Sequence, residues 1–215
     1  GVEAEAARQV MAGFLARVTM SRPLVTLKTA TSLDGMIALG DGAKRWITGS
    51  VMRRYVHLQR SRSDGLLSAI GTVLADDPEF TCRTPGLEAD SPHRFILDAN
   101  LRTPADARMF ETAPEVGVTI FCREVCDPTA AVALREAGAE VQSVSQDEAG
   151  RLSLAEVMVA IAETGCGSLL VEGGGKLGAS LLREELVDRI LWTRSTHLIG
   201  SDGIPAIGML AKGDL

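Results

Sequence analysis

Short apolar runs alternate with amphipathic helical segments along most of this chain, and this alternation limits its possible folds more than any other feature. Strands that alternate with helices usually pair in parallel within one sheet, so the pattern predicts an α/β sheet with helices on both faces. Segments without either periodicity, at residues 32–45, 84–92 and from Gly200 onward, are predicted to be loops. The periodicity predicts strands at residues 24–31, 66–70, 94–98, 116–122, 139–144, 168–172 and 186–193, and helices at 3–18, 50–60, 128–137 and 153–164.

A glycine-rich segment follows the predicted strand that ends at Glu172, and a helical segment of small residues comes after it. Glycine has no Cβ, so a ligand can approach the backbone closely. The start of a helix offers free N–H groups and a positive dipole end. These properties predict a phosphate or pyrophosphate site after Glu172, and a glycine-rich connection without a ligand is the alternative. The spacing Gly173-x-Gly175-x-x-Gly178 also matches a dinucleotide fingerprint, but too few residues follow it to build a Rossmann domain.

Composition excludes several functional classes. The chain has 215 residues, 46% of them apolar, which is enough for one domain with a sizeable core. A net charge of −6 argues against general nucleic-acid binding. No apolar run is long enough to span a membrane, and the polar start is unlike a secretory signal. The four cysteines lack paired C-x-x-C spacing and the three histidines are scattered, so we expect no metal site, and free thiols in a reducing cytoplasm.

Three other clusters contain residues that suit ligand binding. Asp34, after the first strand, could present a carboxylate at a site or close a turn with Gly35. Trp46, before a helix, could stack on a planar ring or anchor the core. Thr72 and Asp76 could bind sugar hydroxyls, or belong to a short turn that ends at Asp76-Asp77-Pro78.

Arginines are well suited to phosphate because the guanidinium group can bind two oxygens. Arg60 and Arg83 flank the Thr72 cluster and are candidates, although an isolated arginine is usually a surface ion-pair partner. The chain offers no Ser-His-Asp or Cys-His arrangement and no carboxylate pair placed for glycoside chemistry. We therefore expect a binding-and-positioning enzyme whose reactivity comes from a cofactor.

Taken together and in this order, the motifs resemble the reductase domain of bacterial riboflavin biosynthesis. They are S-L-D-G (32–35), W-I-T-G (46–49), G-T-V-L-A-D-D-P (71–78), L-D-x-x-L-R-x-P (97–104), L-V-E-G-G (170–174) and L-V-D…L-I-G-S-D (186–202). The resemblance implies a dihydrofolate-reductase-like three-layer αβα fold with a mostly parallel mixed sheet. It also implies NADPH as cofactor and reduction of the ribosyl group of 5-amino-6-(5-phosphoribosylamino)uracil to a ribityl chain.

The resemblance also implies roles for individual residues. Glu172 and Asp34 are the catalytic candidates, and water is a further candidate for the proton donor. Apart from the resemblance, their charge and their position after strand ends make Arg102 and Arg123 candidates for the 2′-phosphate of NADPH. The substrate would be bound by Arg60, Phe80, Arg83 and Glu172, and NADPH by Trp46, Thr72, Asp76, Gly174, Gly175, Lys176, Leu177, Gly178, Ala179 and Ser180. Lys44 departs from the family, which often has a small hydroxyl residue in contact with the substrate there, and the lysine could bind the substrate phosphate or point to solvent.

Family members usually carry this domain behind a zinc deaminase, whose signature is absent here. We therefore expect residues 1–21 to be a helix and linker that would follow such a domain, and residues 22–215 to be the reductase domain, in a cytoplasmic homodimer. Two alternatives remain open. One is a reductase of another heterocycle, such as a pteridine, on the same scaffold, and the other is a nucleotide-binding module without turnover.

Overall fold

The computed structural model describes residues 1–40 and 46–210. Its strands are Leu24–Thr31 (β1), Met36–Ala38 (β2), Gly65–Ala69 (β3), His93–Leu97 (β4), Val118–Arg123 (β5), Ala139–Val144 (β6), Ser168–Glu172 (β7), Arg189–Arg194 (β8) and Ile204–Pro205 (β9). Its α-helices are Ala4–Val10 (α1), Ala12–Met20 (α2), Ser50–Arg60 (α3), Ile70–Asp76 (α4), Pro128–Glu136 (α5), Leu154–Glu163 (α6) and Gly175–Arg183 (α7), and two short 3-10 helices lie at Glu88–Asp90 and Arg108–Thr112. No helix within the described ranges is long and apolar enough to cross a membrane.

The main sheet has the strand order β6-β5-β4-β3-β7-β1-β8, and its neighbouring strands all pair in parallel. Antiparallel pairing joins β2 to β9 in a small separate ladder. The parallel α/β architecture predicted from the sequence is therefore confirmed. In this arrangement β7 lies between β3 and β1, so the strand that ends in Glu172 occupies the interior of the sheet.

Two apolar cores cover the two faces of the sheet. Successive strand residues point to opposite faces, so Leu66 and Ile96 enter one core while Leu67 and Phe95 enter the other. Helices α6 and α7 cover the core that contains Leu67, and helices α4 and α5 cover the core that contains Leu66. This gives the predicted three layers.

Several predicted elements differ from the observed ones. The single helix expected at residues 3–18 is two helices, α1 and α2, with Met11 between them. Gly13 of α2 packs so closely on the chain that a Cβ there would lie 2.8 Å from the Gly167 carbonyl oxygen. The short turn expected after Gly71 is helix α4. The predicted loops at 32–45 and after Gly200 contain β2 and β9, which are too short to show an alternating pattern.

Arg94 is a fully buried arginine in β4 that has no carboxylate partner in the described part of the chain. Its guanidinium group donates instead to oxygens of the surrounding segments: the carbonyls of Glu79, Met109, Thr112 and Val116, and the Thr112 hydroxyl. Burial lowers the pKa of Arg94 to about 10, so the group remains charged at neutral pH. One side chain thus fastens the loop after α4 and the 3-10 helix at Arg108–Thr112 to the sheet.

Replacing Arg94 with Met should destabilise the fold strongly, because it leaves several buried carbonyl groups without donors. We expect the free energy of unfolding to fall by about 3 kcal/mol or more, measured by urea unfolding followed by circular dichroism. Arg54→Met is the control, since Arg54 is exposed on α3 and should change stability by no more than about 0.5 kcal/mol. Equal unfolding midpoints for the two variants would contradict this role for Arg94.

Candidate functional site

Polar side chains lie side by side where β3 and β7 end, next to the middle of β1. The register places Lys28 opposite Glu172, and Ser68 follows the Leu67–Val171 pair on the other side. The Ser68 hydroxyl donates to the Glu172 carbonyl oxygen at 2.6 Å, and Lys28 Nζ lies 3.9 Å from Glu172 Oε2. Because ligands of open α/β sheets bind at the carboxyl ends of the strands, this edge is the candidate site.

Arg60 holds the Glu172 carboxylate from α3. Its Nε lies 2.7 Å from Oε1 and its Nη2 lies 2.9 Å from Oε2, a two-point ion pair. Its Nη1 donates to the Thr81 carbonyl oxygen at 2.9 Å. Arg60 is 9% exposed, so this guanidinium group joins α3, β7 and the loop after α4 in the protein interior.

The charge state of Glu172 follows from these contacts. Burial favours the neutral acid, but the charge and hydrogen bonds of Arg60, helped by Lys28, hold the pKa of Glu172 well below its usual range. Glu172 is therefore an anion at neutral pH. It can accept hydrogen bonds from a ligand, and it has no proton to donate.

The loop after α4 brings Phe80 and Arg83 to the same place. Phe80 has a left-handed backbone, with φ of 56°, and its buried ring lies 5.9 Å from Arg60 Cζ. That conformation is unfavourable for a bulky residue, so the packing around the ring must hold it. His57, one turn before Arg60 on α3, places Nδ1 3.2 Å from the Thr81 carbonyl oxygen and 3.1 Å from the Arg83 amide nitrogen.

Arg83 ends in a small charged cluster at the surface. Its Nη1 lies 2.8 Å from Glu79 Oε2, and Arg108 pairs with the other oxygen of the same carboxylate. The side chains of Arg83 and Arg108 are 53% and 52% exposed, whereas that of Glu79 is 18% exposed. Both guanidinium groups pair with Glu79 and still reach solvent, where an anion can contact them, whereas Arg60 is buried against Glu172.

The start of α7 provides unpaired backbone donors. Gly174 caps the helix without a side-chain hydrogen bond. In the part of the chain that the structure describes, the amide N–H groups of Gly174, Gly175 and Lys176 have no acceptor. The amides of Leu177 and Gly178 already bond to the Gly174 carbonyl oxygen. The free backbone donors of the predicted 174–180 segment are therefore those of its first turn. The side chains of Leu177 and Ala179 are buried and face away from a ligand in solvent.

The three consecutive glycines have different reasons to lack a side chain. A Cβ on Gly173 would lie 2.8 Å from Leu177 Cδ2, and one on Gly175 would lie 2.6 Å from the Pro205 carbonyl oxygen. Internal packing therefore requires Gly175, which meets backbone atoms, whereas a small shift of the Leu177 side chain would make room at Gly173. A Cβ on Gly174 would have nothing within 4 Å, so the space in front of Gly174 is open to a ligand. Free amides and open space together fit a phosphate or pyrophosphate group.

The other predicted cofactor residues lie just before α3 and at the two ends of α4. Trp46 is 79% exposed, and its ring stacks with the Arg53 guanidinium group at 4.6 Å. Thr72 is half-buried in α4, which begins where β3 ends, and Asp76 is exposed at the end of α4. Lys44 lies outside the described residues.

Asp34 fastens two loops together. It accepts hydrogen bonds from the Ser32 hydroxyl at 2.5 Å, from the Gly200 amide at 2.7 Å and from the Ile199 amide at 3.2 Å. These bonds, the Ser32 hydroxyl first, lower the pKa of Asp34 to about 2. At neutral pH this carboxylate is ionised and holds residues 199–200 against the turn at 32–35.

Comparison with known proteins identifies the chain. The model of the family described as RibD C-terminal domain matches residues 23–211.

This chain belongs to the RibD C-terminal domain family.

Two relatives with the name riboflavin biosynthesis protein RibD are each 32% identical to the chain. One, from Aquifex aeolicus, aligns with 93% of this chain and 54% of its own length, and the other, from Escherichia coli, with 94% and 56%. The chain therefore spans about half the length of the curated relatives it matches.

Solved structures agree with the family assignment. A Thermotoga maritima protein, described as a diaminohydroxyphosphoribosylaminopyrimidine deaminase and 5-amino-6-(5-phosphoribosylamino)uracil reductase, is 30% identical with a TM-score of 0.80, over 100% of this chain and 56% of that one. Acinetobacter baumannii RibD is 26% identical with a TM-score of 0.82, over 97% and 56%. These matches confirm the resemblance and the dihydrofolate-reductase-like fold.

Reasoning from the sequence missed the polar residues that surround the predicted ones. His57 precedes Arg60 by three residues on a predicted helix, so the two side chains share a face, and this spacing could have identified it. Glu79 precedes Arg83 by four residues, but outside a helix this spacing carries little information. Arg108 reaches Glu79 from a distant segment, and no local signal indicates that contact.

Replacing Glu172 with Gln should destabilise the protein, because it leaves the buried Arg60 charge without a counter-ion. We expect a loss of about 3–5 kcal/mol at neutral pH, measured by urea unfolding. A carboxyl group with a lowered pKa in the folded chain stabilises above its unfolded pKa of about 4.3, and this contribution is lost as the pH falls through the folded value. The variant should therefore lose less stability than the wild type over that acidic window.

Glu163→Gln is the control for Glu172→Gln, since Glu163 is exposed at the end of α6 and has no ion-pair partner in the described residues. It should leave both the midpoint and its acidic dependence at the wild-type values. If both variants kept the wild-type dependence, the Arg60–Glu172 pair would not be the source of the effect.

Proposed function

We propose that this chain is an NADPH-dependent reductase that converts 5-amino-6-(5-phosphoribosylamino)uracil to the ribitylamino product in riboflavin biosynthesis. Family membership and the name of the Thermotoga maritima relative support this reaction. The observation that carries the proposal is a juxtaposition. Backbone amides without an acceptor, at the start of α7, come directly after the ionised Glu172 carboxylate at the end of β7. Backbone donors for a phosphate and a hydrogen-bond acceptor thus lie together at the carboxyl ends of the strands.

Several residues would hold the cofactor. The amides of Gly174, Gly175 and Lys176 would bind its pyrophosphate, and the exposed face of Trp46 would contact one of its rings. Thr72 and Asp76, on the helix after β3, would bind its hydroxyl groups. When bound, NADPH supplies the hydride that reduces the sugar C1′ carbon.

The substrate side of the site is assigned to Arg83 and Glu172. Arg83 has the exposure that a phosphate-binding arginine needs, and Arg108 lies beside it. Glu172 would accept hydrogen bonds from the aminouracil or from ribose hydroxyls. Arg60 would fix the Glu172 carboxylate, and the Phe80 ring would pack against the Arg60 guanidinium group. Lys44 stays a predicted substrate contact.

Catalysis in this proposal consists mainly of placing the reacting carbons in contact. Glu172 and Asp34 are both ionised at neutral pH, so neither has a proton to give. We therefore assign proton delivery to solvent water. Asp34 would contribute by fixing the 199–200 loop. The homodimer, the cytoplasmic location and the division of the chain at residue 22 stay predictions.

The reaction is tested by following the absorbance of NADPH with the purified chain and the aminouracil substrate. Steady oxidation is expected, and its absence would favour a binding module without turnover. A dephosphorylated substrate should be reduced far less efficiently. Equal efficiency with and without the phosphate would favour a reductase of another heterocycle.

Arg83→Ala should raise KM for the aminouracil substrate by about 10-fold to 100-fold, because it removes a charge-assisted bond worth about 1.5–3 kcal/mol. KM for NADPH should change little. Arg151→Ala is the matched control, since Arg151 is 49% exposed and pairs with a carboxylate four residues away, as Arg83 does. Wild-type kinetic constants in Arg83→Ala would remove Arg83 from the site.

Substitutions at two adjacent glycines should distinguish an effect on cofactor binding from an effect on folding. Gly174→Ala should fold with wild-type stability, because its Cβ would meet no protein atom, yet raise KM for NADPH by about 10-fold or more through a clash with the pyrophosphate. Gly175→Ala should lower the thermal unfolding midpoint, because its Cβ would meet the Pro205 carbonyl oxygen. An unchanged KM for NADPH in Gly174→Ala would place the pyrophosphate elsewhere.

A further inference from the structure

His57 occupies the middle of the polar network and has no role in the reaction described so far. Its Nδ1 faces two backbone groups at once, the Thr81 carbonyl oxygen at 3.2 Å and the Arg83 amide nitrogen at 3.1 Å. Unprotonated Nδ1 accepts a hydrogen bond from the Arg83 amide, whereas protonated Nδ1 donates to the Thr81 oxygen. It cannot do both, so a change in protonation exchanges one hydrogen-bond partner for the other.

The second ring nitrogen of His57 is open. In the described part of the chain Nε2 has no hydrogen-bond partner, and it is not among the buried unpaired atoms, so it reaches solvent. With Nδ1 on the Arg83 amide, the neutral ring carries its proton on Nε2. A donor therefore points outward from the position between Arg60 and Arg83.

Charged groups on every neighbouring element face this ring. Arg60 lies on the same helix, Arg83 on the loop after α4, and Glu172 on β7. Burial lowers the pKa of His57, the two guanidinium charges lower it further, and the Thr81 carbonyl and Glu172 act in the opposite direction. The ring is therefore neutral in the free protein at neutral pH. A phosphate dianion beside Arg83 would reverse this balance, because an opposite charge favours the protonated form.

We propose that His57 is a third phosphate-binding group of this site, beside Arg83 and Arg108, and that it takes up one proton from solvent when a phosphate monoester binds. This rests on the proposed function for the identity of the phosphate, which is that of the phosphoribosyl substrate. On protonation, Nδ1–H bonds to the Thr81 carbonyl oxygen and Nε2–H bonds to the phosphate. The Arg83 amide N–H then loses its acceptor, a cost that the new bonds to the Thr81 oxygen and the phosphate must offset.

Histidine NMR tests this directly, because the chain has three histidines. The ring Cε1–H signals would be titrated with pH in the whole chain, with and without ribose 5-phosphate, and with ribose at matched ionic strength as the control. His57→Gln assigns the signal. With ribose 5-phosphate the pKa of His57 should rise by about one unit or more, while His93 and His197 should not shift and ribose should have no effect.

Two variants test whether the phosphate at Arg83 causes the pKa change and whether His57 contributes to phosphate binding. In Arg83→Ala the pKa rise at His57 should be absent or much smaller, because the phosphate is no longer held there. In His57→Gln, ribose 5-phosphate should bind about 10-fold more weakly at pH 6, and the difference should shrink as the pH rises and the wild-type ring loses its proton. Arg151→Ala should match the wild type in both measurements.

Binding of ribose 5-phosphate with no pKa change at His57, or no binding to the wild type, would overturn the proposal. Either result would leave the reductase assignment intact if NADPH oxidation with the aminouracil substrate is observed. Conversely, a chain that fails to oxidise NADPH but shows the His57 shift would retain a phosphate site and lose the reductase function.

Discussion

The buried ion pair between Arg60 and Glu172 is the interaction on which the rest of the site depends. Removing two charges from water is costly, and a two-point geometry with further hydrogen bonds is needed to offset it. Arg60 donates a further hydrogen bond to the Thr81 carbonyl oxygen, and the Lys28 ammonium group adds a second positive charge 3.9 Å from the Glu172 carboxylate. As a result, α3, β7 and the loop after α4 are held in one arrangement, and an ionised carboxylate is fixed at the sheet edge.

The loop that carries Arg83 is positioned by two buried arginines. Arg94 donates to the Glu79 carbonyl oxygen from β4, and Arg60 donates to the Thr81 carbonyl oxygen from α3. Between them Phe80 adopts a left-handed backbone with its ring buried. Backbone strain of this kind persists when the surroundings determine it. Both arginines thus have a structural role. Because they fix the backbone of the loop, the exposed Arg83 side chain is placed where a ligand can contact it.

Much of the fold could be predicted from the sequence, because strands such as Leu24–Thr31 and Ala139–Val144 are long enough to show their pattern. Motif resemblance then selected Glu172, Arg60 and Arg83, which the structure brings together through contacts at Thr81 and His57. The rest depended on tertiary contacts. The buried Arg94 looks like any strand arginine in the sequence, and β9 has only two residues, Ile204–Pro205.

The glycine motif illustrates why a local pattern gives an incomplete account of a site. Gly175 is required by packing against the Pro205 backbone, so its presence is explained without any ligand. What points to a ligand is the open space at Gly174 combined with first-turn amides that have no acceptor. Since Glu172 just before them is ionised, this edge offers backbone donors for a phosphate and an acceptor for N–H or O–H groups. That complement supports the proposed reductase, in which the chain mainly positions its reactants.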